Sequence, residues 1–206
     1  MKKHEVVLAR THGSTLPAVQ VTGGSVSKLW MVMLVLAASC SAQQLLYSNG
    51  DDNGTGAWAI NNGYMVTNSF VLDRPAHLTS VVLSIWDADH LNYPVRVSWR
   101  ITSEPFGQPV LQGEGRTNFS LLQSCEYVRY FLYCRWLEQV NLNVLLPAGT
   151  YWLEMERLDT RFNSWGFWAQ SQGPSQAYQT LAPQVTQPAR LSPIPSEAFE
   201  LYGDVP

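Results

Sequence analysis

Three constellations in this 206-residue chain carry residue types that could do chemistry. Glu154-Met155-Glu156-Arg157-Leu158-Asp159 spaces carboxylates two residues apart in a strand-like run. Side chains i and i+2 of a strand share a face, so two such acids could flank a glycosidic oxygen as nucleophile and acid/base. Asn49-Gly50-Asp51-Asp52-Asn53-Gly54-Thr55-Gly56 gathers hard oxygen ligands on a flexible loop, as calcium requires. Its candidate metal ligands are Asp51, Asp52 and Asn53; EF-hand spacing and a distal Glu are missing, and an ordinary Asn/Asp/Gly turn is the competing reading. Asp87 and Asp89 form a second, thinner acidic loop. No other cofactor is expected.

The third constellation runs from Asn163 to Gly173. It sets Trp165 and Trp168 beside the amides of Asn163 and Gln170. Aromatic faces stack on the apolar faces of sugars and amides satisfy ring hydroxyls, so these four residues are the candidate ligand-binding set. The competing reading puts Trp168 in a core and Trp165 at its rim. Other chemistries find little material. After residue 42 the histidines are His77 and His90, with no Gly-x-Ser-x-Gly elbow or His-Glu-x-x-His pair.

The elements that must position these residues begin with a targeting signal. Lys28, the apolar run Leu29–Ala38 and the small residues Ser39-Cys40-Ser41-Ala42 describe a secretory signal peptide. The run is too short for a spanning helix, which needs about 20 residues. Residues 1–42 are therefore read as an N-terminal extension with signal peptide, and 43–206 as one domain. Cleavage after Ala42 satisfies the small-residue rule; lipidation of Cys40 within Leu36-Ala37-Ala38-Ser39-Cys40 is the alternative. Either route leaves Cys125 and Cys134, a pair expected to be a disulfide in an oxidising compartment, against the alternative of two buried thiols. Eight extended residues between them would hold the cysteines too far apart. The chain must reverse within that segment, or Cys125 must lie in a loop folding back beside the strand of Cys134. The irregular run Leu121-Leu122-Gln123-Ser124 favours the second.

Charged residues make up 14% of the chain against about 25% in an average domain, which with 12% aromatics suits an extracellular β-rich protein. Without residues 1–42, basic residues fall from 13 to 9 and acidic ones from 16 to 15, so the net charge becomes −6. Every remaining base is Arg. A nucleic-acid partner is not expected. Val95, Val97, Trp99 and Ile101 alternate with polar residues, as do Val140, Leu142, Val144 and Leu146, and Tyr151, Leu153 and Met155. Thr79, Val81, Leu83 and Ile85 form one face of another strand, and Phe199 and Leu201 mark the last. Weaker strands are expected at 45–48, 57–60, 64–72, 109–114, 128–136 and 165–169, and an irregular loop at 171–196. About ten or eleven short strands, each with one apolar face, predict an antiparallel two-sheet β-sandwich of jelly-roll type.

In that setting the acidic run resembles the E-x-D-x-x-E strand of laminarinase-like jelly-roll glycosidases, with the second and third acids exchanged and Arg157 where an apolar residue is preferred. A broader resemblance rests on Leu46–Gly50, Ala57–Tyr64, Val66–Leu72, Ser98–Thr102, Leu146–Leu153 and Pro195–Phe199 in that order. The chain resembles the secreted β-sandwich ectodomains of bacterial PEP-CTERM and choice-of-anchor surface proteins across residues 44–203. That group ends in a Pro-Glu-Pro motif, a membrane helix and an Arg cluster; this chain ends at Val205-Pro206 without them, so no sorting anchor of that kind is expected. The resemblance implies an exported bacterial protein. The leading expectation is a non-enzymatic surface or matrix-associated module binding polysaccharide or another envelope component. A purely structural envelope or matrix protein comes second and a jelly-roll glycoside hydrolase third.

Overall fold

The computed structural model describes residues 43–87, 94–128, 130–162, 164–181 and 191–206, the side chains of 118–120 and 128 excepted. The signal run, Cys40, Asp89, His90 and Asn163 lie outside them. The described strands are β1 (Gln44–Ser48), β2 (Ala57–Ala59), β3 (Tyr64–Leu72), β4 (Ala76–Asp87), β5 (Pro94–Thr102), β6 (Pro109–Val128), β7 (Phe131–Leu146), β8 (Gly149–Thr160), β9 (Gly166–Ala169), β10 (Ala177–Leu181), β11 (Ser192–Ile194) and β12 (Phe199–Asp204). Among the described residues no helix is long and apolar enough to cross a membrane.

Eight strands make two antiparallel sheets, β1-β12-β4-β7 and β3-β8-β5-β6. Numbered among themselves in chain order, these eight fall 1-8-3-6 and 2-7-4-5, which is the jelly-roll order. The remaining strands extend the sheets. β10 and β11 continue the second sheet past β3. In the first, β12 pairs with β4 from His77 to Leu83, and β9 takes over from Ile85 to Asp87, carrying β2 on its far side.

β6 serves both sheets. Its first part, Pro109–Arg116, pairs with β5, and its second, Thr117–Val128, pairs with β7. The crossing brings backbone against packed side chains, and glycine permits it. A Cβ on Gly115 would sit 2.3 Å from Val140 Cγ1, and one on Gly113 2.7 Å from Trp99 Cζ2. No other residue fits there without displacing the core.

The core lies between the sheets where the alternation places it. Val97, Trp99 and Ile101 of β5 and Leu153 and Met155 of β8 meet Leu83 and Ile85 of β4 and Val140, Leu142 and Val144 of β7. One face differs from the sequence reading. A register shift between Leu78 and Ser80 moves Thr79 off the inward row, where its hydroxyl bonds Tyr202 O at 3.1 Å, and buries Leu78 instead. Opposite the shift, Asn143 takes a left-handed conformation (φ 59°) and its Oδ1 meets His77 Nε2 at 2.8 Å.

Two further expectations are corrected. The segment 171–196 is not one irregular loop, because β10 and β11 lie within it. The expected strand at 128–136 instead straddles a hairpin that reverses between Val128 and Phe131. Cys125 therefore sits in β6, directly opposite Cys134 of β7, not in a returning loop. The two form a disulfide with Cα atoms 4.1 Å apart. Leu121 and Leu122 are both largely exposed. This end of β6 therefore has no buried face to impose alternation, and the run reads as irregular.

Candidate functional site

Strand parity decides which aromatics reach the surface. On β9, Trp168 turns inward and is fully buried; its Nε1 donates to Ala198 O at 2.9 Å and its ring meets Phe199 edge-on. It belongs to the core and cannot form part of a ligand platform, so its place in the candidate set is corrected. Trp165 stays 46% exposed, and Phe167, on the parity opposite to Trp168, lies half-buried beside it. Their planes differ by 17° with centroids 6.1 Å apart.

From this pair the rings continue in both directions. Tyr64 lies 6.1 Å from Trp165, and Tyr133 lies 6.1 Å from Phe167. Beyond Tyr133 come Phe131 at 6.5 Å and Trp86 at 6.3 Å. Sheet register explains the assembly. Trp86 of β4 pairs with Phe167 of β9 on one side and with Arg135 of β7 on the other, so the three share the outer face of the first sheet. Phe131, Tyr127 and Tyr130, at the hairpin tip, are 63%, 76% and 93% exposed. Trp86 is buried and Tyr64, Phe167 and Tyr133 are half-buried, so the exposed surface is Trp165 and the hairpin tip, joined by partly covered rings. Such a grouping is informative in a way that a single exposed Leu is not.

A groove of about 320 Å³, walled mostly by apolar surface, adjoins the rings on the same face. Asp52, Ser84, Gln123, Ser124, Arg135 and Glu200 supply its polar groups, with Val82 and Leu137 beneath. Arg135 joins groove to rings. Its guanidinium carbon lies 4.7 Å above the Trp86 ring, and it pairs with Glu126 and, at 3.8 Å, with Asp52. Planar stacking and forked donors make Arg suited to this double role. At the other rim Tyr202 donates to Glu200 at 2.5 Å, a bond that, helped by partial burial, pushes its phenol up to about 12.

The remaining candidate residues fall elsewhere. Gln170 is a clamp for the preceding loop: its backbone bonds Asn53 N and Gly56 O. Asp51, Asp52 and Asn53 do not converge as a metal cage by themselves, which corrects that grouping. Asp51 is exposed, and Asp52 accepts from Gly54 N and from Trp86 Nε1, each at 2.7 Å. Asn53 Oδ1 accepts from Thr55 N and Thr55 Oγ1, an Asx turn.

The acidic strand obeys parity, but the expected pair of carboxylates does not line one cleft. Glu154 and Glu156 share the outer face of the second sheet, both paired with Arg100 of β5. Glu154 is fully buried, and its acid is pushed up to about 7 by burial, partly offset by Arg100 and reinforced by Glu156. The nearby groove contains Glu156 and Asp159 but not Glu154. Of the expected pair Glu154 and Glu156, a ligand in that groove would therefore meet only Glu156.

Sequence reasoning missed Tyr64, Trp86, Phe131, Tyr133, Arg135 and Phe167. For Phe167 a signal existed, because it shares parity with Trp165 and Trp168 does not. Compared with known protein families and with curated proteins, the sequence matches no family model and no curated protein.

Proposed function

We propose that this chain is an exported, non-enzymatic module that binds polysaccharide along the outer face of its first sheet. The observation that carries the reading is the unbroken row Tyr64–Trp165–Phe167–Tyr133–Phe131 beside the groove to which Arg135, Gln123 and Glu200 contribute polar groups. Ring faces take the apolar faces of pyranose units; amide, hydroxyl and charged groups take their hydroxyls. An elongated, shallow face suits a chain better than a single small molecule. The net charge of −6 for residues 43–206 disfavours strongly anionic glycans, so neutral or weakly charged polymers are the expected class.

The test is retention of the full chain in native gels containing neutral polysaccharides, with Tyr133→Ala as the comparison. Retention that falls about tenfold in the variant supports the reading, equivalent to roughly 1.4 kcal/mol. Export rests on the apolar run after Lys28. N-terminal mass spectrometry on protein from the native host should find Gln43, or a lipidated Cys40, as the first residue. An intact Met1 in a cytoplasmic fraction would remove export from the proposal.

A further inference from the structure

The hairpin of β6 and β7 runs on past its neighbours. β4 pairs with β7 as far as Asp87 opposite Cys134, and β9 reaches only Gly166 opposite Asp87. Beyond that level come three pairs, Glu126 with Tyr133, Tyr127 with Leu132 and Val128 with Phe131, and then the turn. Among the described residues no third strand lies beside them. At about 3.3 Å per residue the ribbon extends roughly 10 Å past the last pairing with β4. The Cys125–Cys134 disulfide closes it at its base.

This end differs from the rest of the surface in being aromatic on both faces. Opposed residues of an antiparallel pair share a face, so Tyr127 and Leu132 lie on the side of Cys134, the row that is buried further along β7 at Trp136 and Val140. Phe131 lies on the other side, with Tyr133 and Arg135. Tyr127 and Phe131 are nevertheless mostly exposed, and Tyr130, beside the turn, is 93% exposed. A glycan laid along the first sheet uses one of these faces and leaves Tyr127 and Tyr130 in water. A medium that surrounds the tip covers all three rings. Charge follows the same division. Between Glu126 and Cys134 the sequence has one charged residue, Arg129, in a domain whose net charge is −6 over residues 43–206. Glu126 is paired with Arg135 at the base. The end of the hairpin is apolar and weakly basic, and its charged collar begins one level down.

We propose that this hairpin is a lipid-contacting tip that enters the headgroup boundary of a phospholipid bilayer. An interfacial element buries about 5–10 Å, a depth spanned by the turn and the pairs next to it. Tyr suits that depth, because its ring meets the acyl boundary while its hydroxyl stays hydrated. The positive charge of Arg129 suits lipid phosphate. The disulfide holds the two strands together beforehand, so insertion has little left to order. The inference goes beyond polysaccharide binding. Tyr127 and Tyr130 stand outside the ring row, so the two readings fail separately.

The experiment is hydrogen–deuterium exchange of the full chain, read by mass spectrometry with and without phosphatidylcholine vesicles at millimolar lipid. The apolar run after Lys28 has its own affinity for lipid, so exchange within the hairpin decides, not bulk association. Exchange over residues 126–133 should slow at least about threefold with vesicles, while β4 and β12 stay unchanged. Tyr127→Ser combined with Tyr130→Ser should abolish that slowing and keep polysaccharide retention. If the combined variant does not fold, Tyr130→Ser alone must show the loss. Hairpin exchange that vesicles leave unchanged overturns the proposal, as does equal slowing in a folded variant. Slowing that follows protein concentration, with vesicles adding nothing, would assign the tip to a second copy of the chain and overturn the lipid reading.

Discussion

Trp165 and Trp168 are three positions apart and have opposite fates, which makes them the natural pair for separating binding from stability. Trp165→Ala removes an exposed ring and should leave the thermal midpoint nearly unchanged while weakening polysaccharide retention. Trp168→Ala empties the core and removes one of the two donors to Ala198 O, the other being Ser84 N, so it should lose roughly 3–5 kcal/mol in urea unfolding. A Trp165→Ala protein as unstable as Trp168→Ala would mean that the ring row is packing, not platform. The sequence shows that large aromatics cluster here. Which of them face water depends on where β9 begins and on its pairing with β4, and neither can be read from residue types. Glu154 makes a second residue-scale point. Its acid lies near 7 in the fold against 4.5 as the ordinary value, so the folded state holds the proton more tightly than the unfolded one. The penalty for ionising it is absent below about pH 4.5, grows up to about pH 7 and is constant above, on the order of 3 kcal/mol. Glu154→Gln should therefore unfold at higher urea than the parent at pH 8 and match it at pH 4. Equal behaviour of the two proteins at both pH values would refute that account of the burial.

At the scale of elements, the hairpin of β6 and β7 shows what periodicity can and cannot reveal. β4, β5, β8 and the later part of β7 each send one row of apolar side chains into the core, and that alternation was legible. The end of β6 buries neither face strongly: Leu121, Leu122 and Tyr127 are all exposed, and the strand exists because β7 pairs with it. Long-range pairing of that kind leaves no local trace. The cysteine pair was legible for a different reason, since two thiols in a chain expected to be exported point to one bond. Non-reducing peptide mapping should recover a Cys125–Cys134 cross-link, and its reduction should destabilise the protein by about 2–3 kcal/mol on the loop-closure model. Two freely alkylated thiols in the folded protein would contradict the structure at this hairpin. β10 and β11 were hidden by the prolines around them, because Pro marks loops but is also tolerated in an edge strand such as Ser192–Ile194.

For the molecule as a whole, the jelly-roll order supplies two broad outer faces, and the sequence distributes them unequally. One carries Glu154 and Glu156 locked to Arg100; the other carries the rings, the groove and Arg135. The fold class was legible because alternation and turn spacing are local properties summed along the chain. The site was legible only in part, because it is assembled from β3, β4, β6, β7, β9, β12 and the Asn49–Gly56 loop, which only the topology brings together. A structural protein that assembles through the edges β1 and β11 is the competing whole-molecule account, and it needs no polymer. The most direct measurement is therefore affinity electrophoresis of the full chain across a panel of neutral polysaccharides, with the oligomeric state followed by sedimentation. The account predicts a monodisperse protein retarded by at least one polymer, with retardation lost in Trp165→Ala and Tyr133→Ala. A protein that self-associates and migrates unretarded through every polymer would contradict it.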